Sequence, residues 1–148
     1  MIINNAWNGN ILTTKACDIV KTPSETIIKS HTNKNYGKML GIEYTKFETD
    51  GDLIRCTFQQ RFAFKKFDMN FVKKIMRYDD RVDIVFKTVD SMVNMRGKWS
   101  VVPTSSGSYI MLNQRTVVPG WARHIPGVEQ LITGKVKKIF EQMKNIRV

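Results

Sequence analysis

Residues 127–148 read GVEQLITGKVKKIFEQMKNIRV. Val128, Leu131, Ile132, Val136, Ile139, Phe140 and Met143 recur at spacings of three and four, which places them on one stripe of an α-helix. Glu129, Gln130, Lys135, Lys137, Lys138, Glu141, Gln142 and Lys144 fall on the opposite face. Pro126 stands where a helix can begin, because its missing N–H costs nothing in a first turn. Lys144 and Arg147 lie near the C-terminal end, where positive charge complements the helix dipole. An apolar stripe of this length needs a surface to lie on, and what precedes it reads mostly as strand. The expectation is a long terminal helix on a curved sheet.

Working back from the helix, the alternation of apolar and polar residues predicts six consecutive strands. Ser108–Val118 is the last, with Ile110, Leu112, Gln114 and Thr116 on one face. Before it come Met92–Val102, Arg81–Val89 and a strand from Phe67 to about Tyr78, in which Phe67, Met69, Phe71, Lys73 and Ile75 alternate. Leu53–Phe64 places Ile54, Cys56, Phe58, Gln60, Phe62 and Phe64 together, and Glu43–Glu48 precedes it across the turn pair Asp50-Gly51. Connections this short imply antiparallel neighbours. Further upstream, Thr22-Pro23-Ser24-Glu25 has the spacing of a helix start with a capping box. The short helix that follows gives way to a second turn from Tyr36 to Leu40, ended by Gly41. Ile11–Val20 reads as another strand, and residues 1–10, polar with Trp7 as their only large anchor, as a loose arm. The order is therefore β-α-α-β6-α: an α+β domain over residues 11–148, with about seven antiparallel strands.

The chain has 148 residues, enough for one domain with a real core. No apolar run approaches the roughly 20 residues that span a bilayer, and the N-terminus lacks the basic-then-apolar pattern of a secretory signal. The expectation is a cytoplasmic protein, or an organellar one if a transit peptide has been removed. Cys17 and Cys56 sit in strand contexts as free thiols, and with His31 and His124 far apart no metal spacing or cofactor motif is present. The net charge of +11 and pI near 9.8 favour an acidic partner, whether an anionic membrane, an acidic protein or, less favoured, nucleic acid.

The element order, together with Arg96-Gly97-Lys98-Trp99-Ser100-Val101-Val102-Pro103, the run Gly107–Leu112, Pro119 before the terminal helix and Thr22-Pro23-Ser24-Glu25 after the first strand, resembles the helix-grip superfamily of START-related lipid-transfer domains and polyketide cyclases and dehydratases. The region Ile27–Gly41 is more polar here than is usual for that family. The resemblance implies a sheet wrapped around the terminal helix and a cavity between them for a hydrophobic molecule such as a lipid, quinone, pigment or polyketide.

The side chains expected to face inward are Phe58, Gln60, Phe62, Phe71, Ile84 and Phe86, with Trp99, Leu112 and Gln114 from the later strands and Leu131 and Ile132 from the helix. They line a ligand pocket or fill a collapsed core; the pattern alone allows both. Gln60 and Gln114 occupy positions that alternation would make apolar, so each needs a hydrogen-bond partner or exposure. His31 and His124 read as exposed, and Asp79-Asp80 as a turn. Lys65, Lys66, Trp121, Arg123, Lys135 and Lys138 are the expected contacts to a membrane or an acidic partner. Three readings stand: a carrier or binder of a hydrophobic molecule, a non-catalytic accessory subunit that docks through its basic surface, and a cyclase- or dehydratase-type enzyme.

Overall fold

A computed structural model of the chain describes residues 1–62 and 65–146. Its elements run β1 (Ile2–Asn8), β2 (Ile11–Val20), α1 (Ser24–Thr32), α2 (Lys34–Gly37), a 3-10 turn (Lys38–Leu40), β3 (Tyr44–Asp50), β4 (Leu53–Phe62), β5 (Lys65–Arg77), β6 (Val82–Thr88), β7 (Asn94–Thr104), β8 (Gly107–Val117), α3 (Gly120–Arg123) and α4 (Val128–Lys144). The strands form one antiparallel sheet in the order β1-β2-β8-β7-β6-β5-β4-β3. Every neighbouring pair is a hairpin except β2–β8, which joins the first hairpin to the last strand. The helical connection after β2 carries the chain to β3 at the far edge, and α4 packs against β2 and the 3-10 turn.

The predicted strand order holds from β3 to β8, and the sheet has eight strands rather than about seven. The extra one is β1, within the segment expected to be a loose arm. Residues 2–8 pair along their whole length with β2, and Ile3, Asn5 and Trp7 alternate half-buried with exposed neighbours. The polar composition hid this strand because Asn5 is satisfied rather than solvated. Its amide donates to Thr133 Oγ1 at 2.8 Å, and its carbonyl accepts from Thr14 Oγ1 at 2.8 Å. Gly9, at φ 59°, makes the turn into β2.

Both helix starts differ in detail from expectation. Pro126 lies outside α4, whose N-cap is Gly127 at φ 93°; residues 120–123 form the separate turn α3. Arg147 and Val148 lie outside the described residues, as do Ala63 and Phe64. The cap of α1 is Pro23, with no side-chain hydrogen bond. Thr22 instead donates through Oγ1 to the carbonyl of Met143 at 2.6 Å, serving one of the carbonyls that the last turn of α4 leaves without an intrahelical partner. Glu25 faces Arg77 at 3.6 Å on the surface.

The apolar stripe of α4 divides into two halves. Val136, Phe140 and Met143 are buried, whereas Leu131, Ile132 and Ile139 keep partial exposure. The buried half lies over a row of directly paired residues running across four strands: Ile75, Ile84, Trp99 and Leu112, continued by Ala16 on β2. The Phe140 ring stands 5.4 Å from that of Trp99, and full burial of such a side chain contributes about 1.5–3 kcal/mol. Cys17 and Cys56 are free thiols, and among the described residues no helix is long and apolar enough to cross a membrane.

Candidate functional site: a cavity under the terminal helix

The adjacent row of the sheet is built differently. Lys73 pairs with Phe86, Phe86 with Gly97, Gly97 with Gln114, and Gln114 with Thr14. In antiparallel pairing these directly opposed residues point to the same face. The middle of the row is a glycine, so nothing there rises to meet α4. Between this row and the half-buried Leu131 and Ile132 of α4 lies a cavity of about 170 Å³, partly open to solvent. This is below the roughly 300–1,000 Å³ of pockets for drug-sized ligands, and close to the roughly 150 Å³ cavity that accepts benzene. The space suits a molecule of one or two rings.

Aromatic side chains form its wall. Phe58 and Phe71 stack at 5.5 Å with planes 12° apart, and Phe86 meets Phe71 edge-on at 6.0 Å. The lining loses burial towards the outside: Phe67, Met92 and Val93 are half-buried, and Trp121 is 60% exposed. Gln60 lies in this outer part, where its amide donates to the carbonyl of Arg61 at 2.9 Å. Lys135 is an exposed residue whose ammonium reaches the cavity lining, 5.9 Å from the centre of the Phe58 ring; partial desolvation, with the charge of Lys138 as a lesser cause, lowers its pKa.

The inner part is polar. Lys73, only 9% exposed, donates to the main-chain carbonyl of His31 at 3.1 Å and to the Tyr44 hydroxyl at 3.4 Å. The His31 ring packs 4.8 Å from Trp99, with Nε2 3.4 Å from Met143 Sδ. Burial, reinforced by the charge of Lys73, lowers its pKa to about 3. His31 is therefore neutral at ordinary pH, and its basicity lies far from the range that suits general acid–base catalysis near neutrality. Among the described residues no group of three or more His, Cys, Asp or Glu could hold a metal ion.

Of the residues expected to face inward, the structure brings Phe58, Gln60, Phe71, Phe86, Trp99, Gln114, Leu131 and Ile132 to the cavity. Ile84 and Leu112 are buried but do not line it, because Trp99 is paired between them and Phe140 covers that row. The side chain of Phe62 lies outside the described residues. Of the expected surface contacts, Lys65, Lys66 and Lys138 are exposed and Trp121 lies at the cavity lining. Arg123 is engaged internally: its guanidinium stacks 3.9 Å from the Trp7 ring, and Nε donates to the Gly9 carbonyl at 3.2 Å.

Sequence reasoning missed the inner polar group. His31 was expected to be exposed but is buried, because α1 turns its Ile27, Ile28 and His31 side inward. Lys73 carried a legible signal: it shares the alternation of Phe67, Met69, Phe71 and Ile75, all apolar, and so had to point the same way.

No family model and no curated protein sequence matches the chain. Solved structures do. The Zhui aromatase/cyclase of a Streptomyces species is 10% identical with a TM-score of 0.71, covering 90% of this chain and 92% of its own. A STAR-related lipid transfer protein of Xanthomonas axonopodis is 12% identical with a TM-score of 0.69, covering 97% and 92%. The lipid transfer and protein localization domain of human StarD13 is 10% identical with a TM-score of 0.69, covering 97% and 90%. The fold of this chain is the helix-grip fold of START-type and aromatase/cyclase domains.

Proposed function

We propose that this protein binds a hydrophobic small molecule in the cavity between the sheet and α4. The observation that carries the proposal is the cavity itself: an aromatic-walled space that the apolar stripe of α4 covers without filling. The lipid-transfer and aromatase/cyclase names of proteins with the same fold support the reading. Organic extraction and native mass spectrometry of the purified protein test for a resident compound. Titration with the neutral probe methyl 2-naphthoate, followed by NMR, tests the cavity directly. Shifts confined to Phe58, Phe71, Phe86, Leu131 and their neighbours support the proposal; no binding at the solubility limit of the probe overturns it.

The outer end of the cavity favours docking on an anionic membrane as the route of loading. Trp121 is 60% exposed beside the opening, and Lys65 and Lys66 are exposed next to Phe67 of the lining. Aromatic and basic groups of this kind suit the headgroup region. Co-sedimentation with phosphatidylserine vesicles but not with phosphatidylcholine vesicles is the expected result; equal or absent binding to both rejects this route.

A further inference from the structure

A buried ammonium is costly unless a counter-charge accompanies it, because it gives up the hydration that stabilises its charge in water. Lys73 is 9% exposed, and its two protein acceptors, the His31 carbonyl and the Tyr44 hydroxyl, are both neutral. Among the described residues no carboxylate comes within 4.0 Å of it. An ammonium has three N–H groups, so at least one donor remains for a third acceptor. The described cavity lining holds Lys73 and Lys135 and neither Asp nor Glu. At the other end of the Lys73–Phe86–Gly97–Gln114 row, the Gln114 amide is 5% exposed, lines the cavity and makes no side-chain hydrogen bond among the described residues. Among the described residues the space holds one buried cation, one amide without a side-chain hydrogen bond, and apolar walls between them.

We infer that the ligand is a small apolar carboxylic acid, aromatic or short-chain aliphatic, whose carboxylate supplies the counter-ion of Lys73. This rests on the ligand-binding reading above and narrows it. The ring or chain of the acid lies against Phe71 and Phe86, and the Gln114 amide serves an oxygen or N–H placed away from the carboxylate. A carboxylate fits better than a phosphate: a phosphate brings more oxygens and more charge than one ammonium and one amide can satisfy in an apolar space. Hydrogen bonds to charged groups contribute about 1.5–3 kcal/mol, which corresponds to a preference of about tenfold or more for the acid over a neutral isostere.

The test is calorimetric titration at pH 7 with 2-naphthoate and with its methyl ester. The expected result is acid binding at least about tenfold tighter than ester binding. Lys73→Met removes that preference while leaving ester affinity within about twofold, and Lys73→Arg keeps part of it. Lys74→Met, at an exposed residue outside the cavity lining, leaves the preference intact. Equal binding of acid and ester by the wild-type protein overturns the inference and leaves the hydrophobic cavity standing. Survival of the preference in Lys73→Met, or its loss in Lys74→Met, overturns the assignment to Lys73. Binding of neither probe overturns the ligand-binding reading itself. The wild-type ratio needs no variant, so the inference stays testable even if Lys73→Met fails to fold.

Discussion

Gly97 faces Gln114 across the β7–β8 ladder at such close quarters that a methyl group on Gly97 would stand 2.5 Å from the Asn113 carbonyl oxygen and 2.8 Å from Gln114 Cα. Both obstacles are main chain and cannot swing aside. Gly97→Ala should therefore cost about 1–3 kcal/mol through forced backbone shifts. A lower urea midpoint with an unchanged slope is the expected readout.

Thr22 and Met143 are tied by a buried 2.6 Å hydrogen bond spanning 121 positions of sequence. Thr22→Val keeps the shape and leaves the Met143 carbonyl without that donor, an expected loss of about 1–3 kcal/mol. Hydrogen exchange should show the last turn of α4 opening more often, with the sheet protected as before.

Phe140 is 1% exposed and stands against Trp99. Phe140→Ala should destabilise the fold by about 3–5 kcal/mol and change the near-ultraviolet circular dichroism and the emission of Trp99. Leu131, on the same helix but beside the cavity, should respond in the opposite way. Leu131→Trp is expected to fill the space and abolish methyl 2-naphthoate binding with little loss of stability; a large stability loss instead would mean that this half of α4 is packed core.

His31 gives the fold a pH dependence whose direction follows from its burial. The imidazole titrates near 6.5 when free and at about 3 in the folded chain, lowered first by desolvation and then by the charge of Lys73. Between those values the unfolded chain holds a proton that the folded chain does not, so stability is full above about pH 6.5 and falls as the pH drops. The slope should approach roughly 1.4 kcal/mol per pH unit in that window. Asp18, whose pKa is lowered from 3.8, acts only at still lower pH. Burial opposes that lowering, while the hydrogen bond and charge of Lys144 and a hydrogen bond from the Ile19 N–H drive it. Urea denaturation between pH 4.5 and 7 should show the slope in the wild-type protein and a flatter profile in His31→Gln.

Strands β3 to β8 and the terminal helix were legible in the sequence because one face of each is apolar and the other polar, so the period alone identifies them. Strand β1 was not, because its half-buried positions include Asn5, whose partners Thr14 and Thr133 come from distant parts of the chain. The cavity wall was largely legible as the inward face of the sheet. What the pattern could not separate was the open row from the filled one, since Phe86 and Ile84 look alike until the register sets Gly97 beside the first and Trp99 beside the second. Lys73 was visible in the alternation, but a lysine between aromatics reads as part of a basic surface until its neighbours close over it.

The pairing of β2 with β8 has a consequence for how the protein is made. On the ribosome, β2 emerges early and must wait without its second neighbour while nearly 90 further residues are added, since Val20 pairs with Ser108 and Ile11 with Val117. The hairpins from β3 to β8 can form as they appear, but α4, which covers the concave face, is translated after every strand. Closure of such sequence-distant pairs is slow. Until it happens the nascent chain exposes an unpaired β2 edge and an aromatic-lined trough, the surfaces on which a chaperone would act and through which premature association would begin.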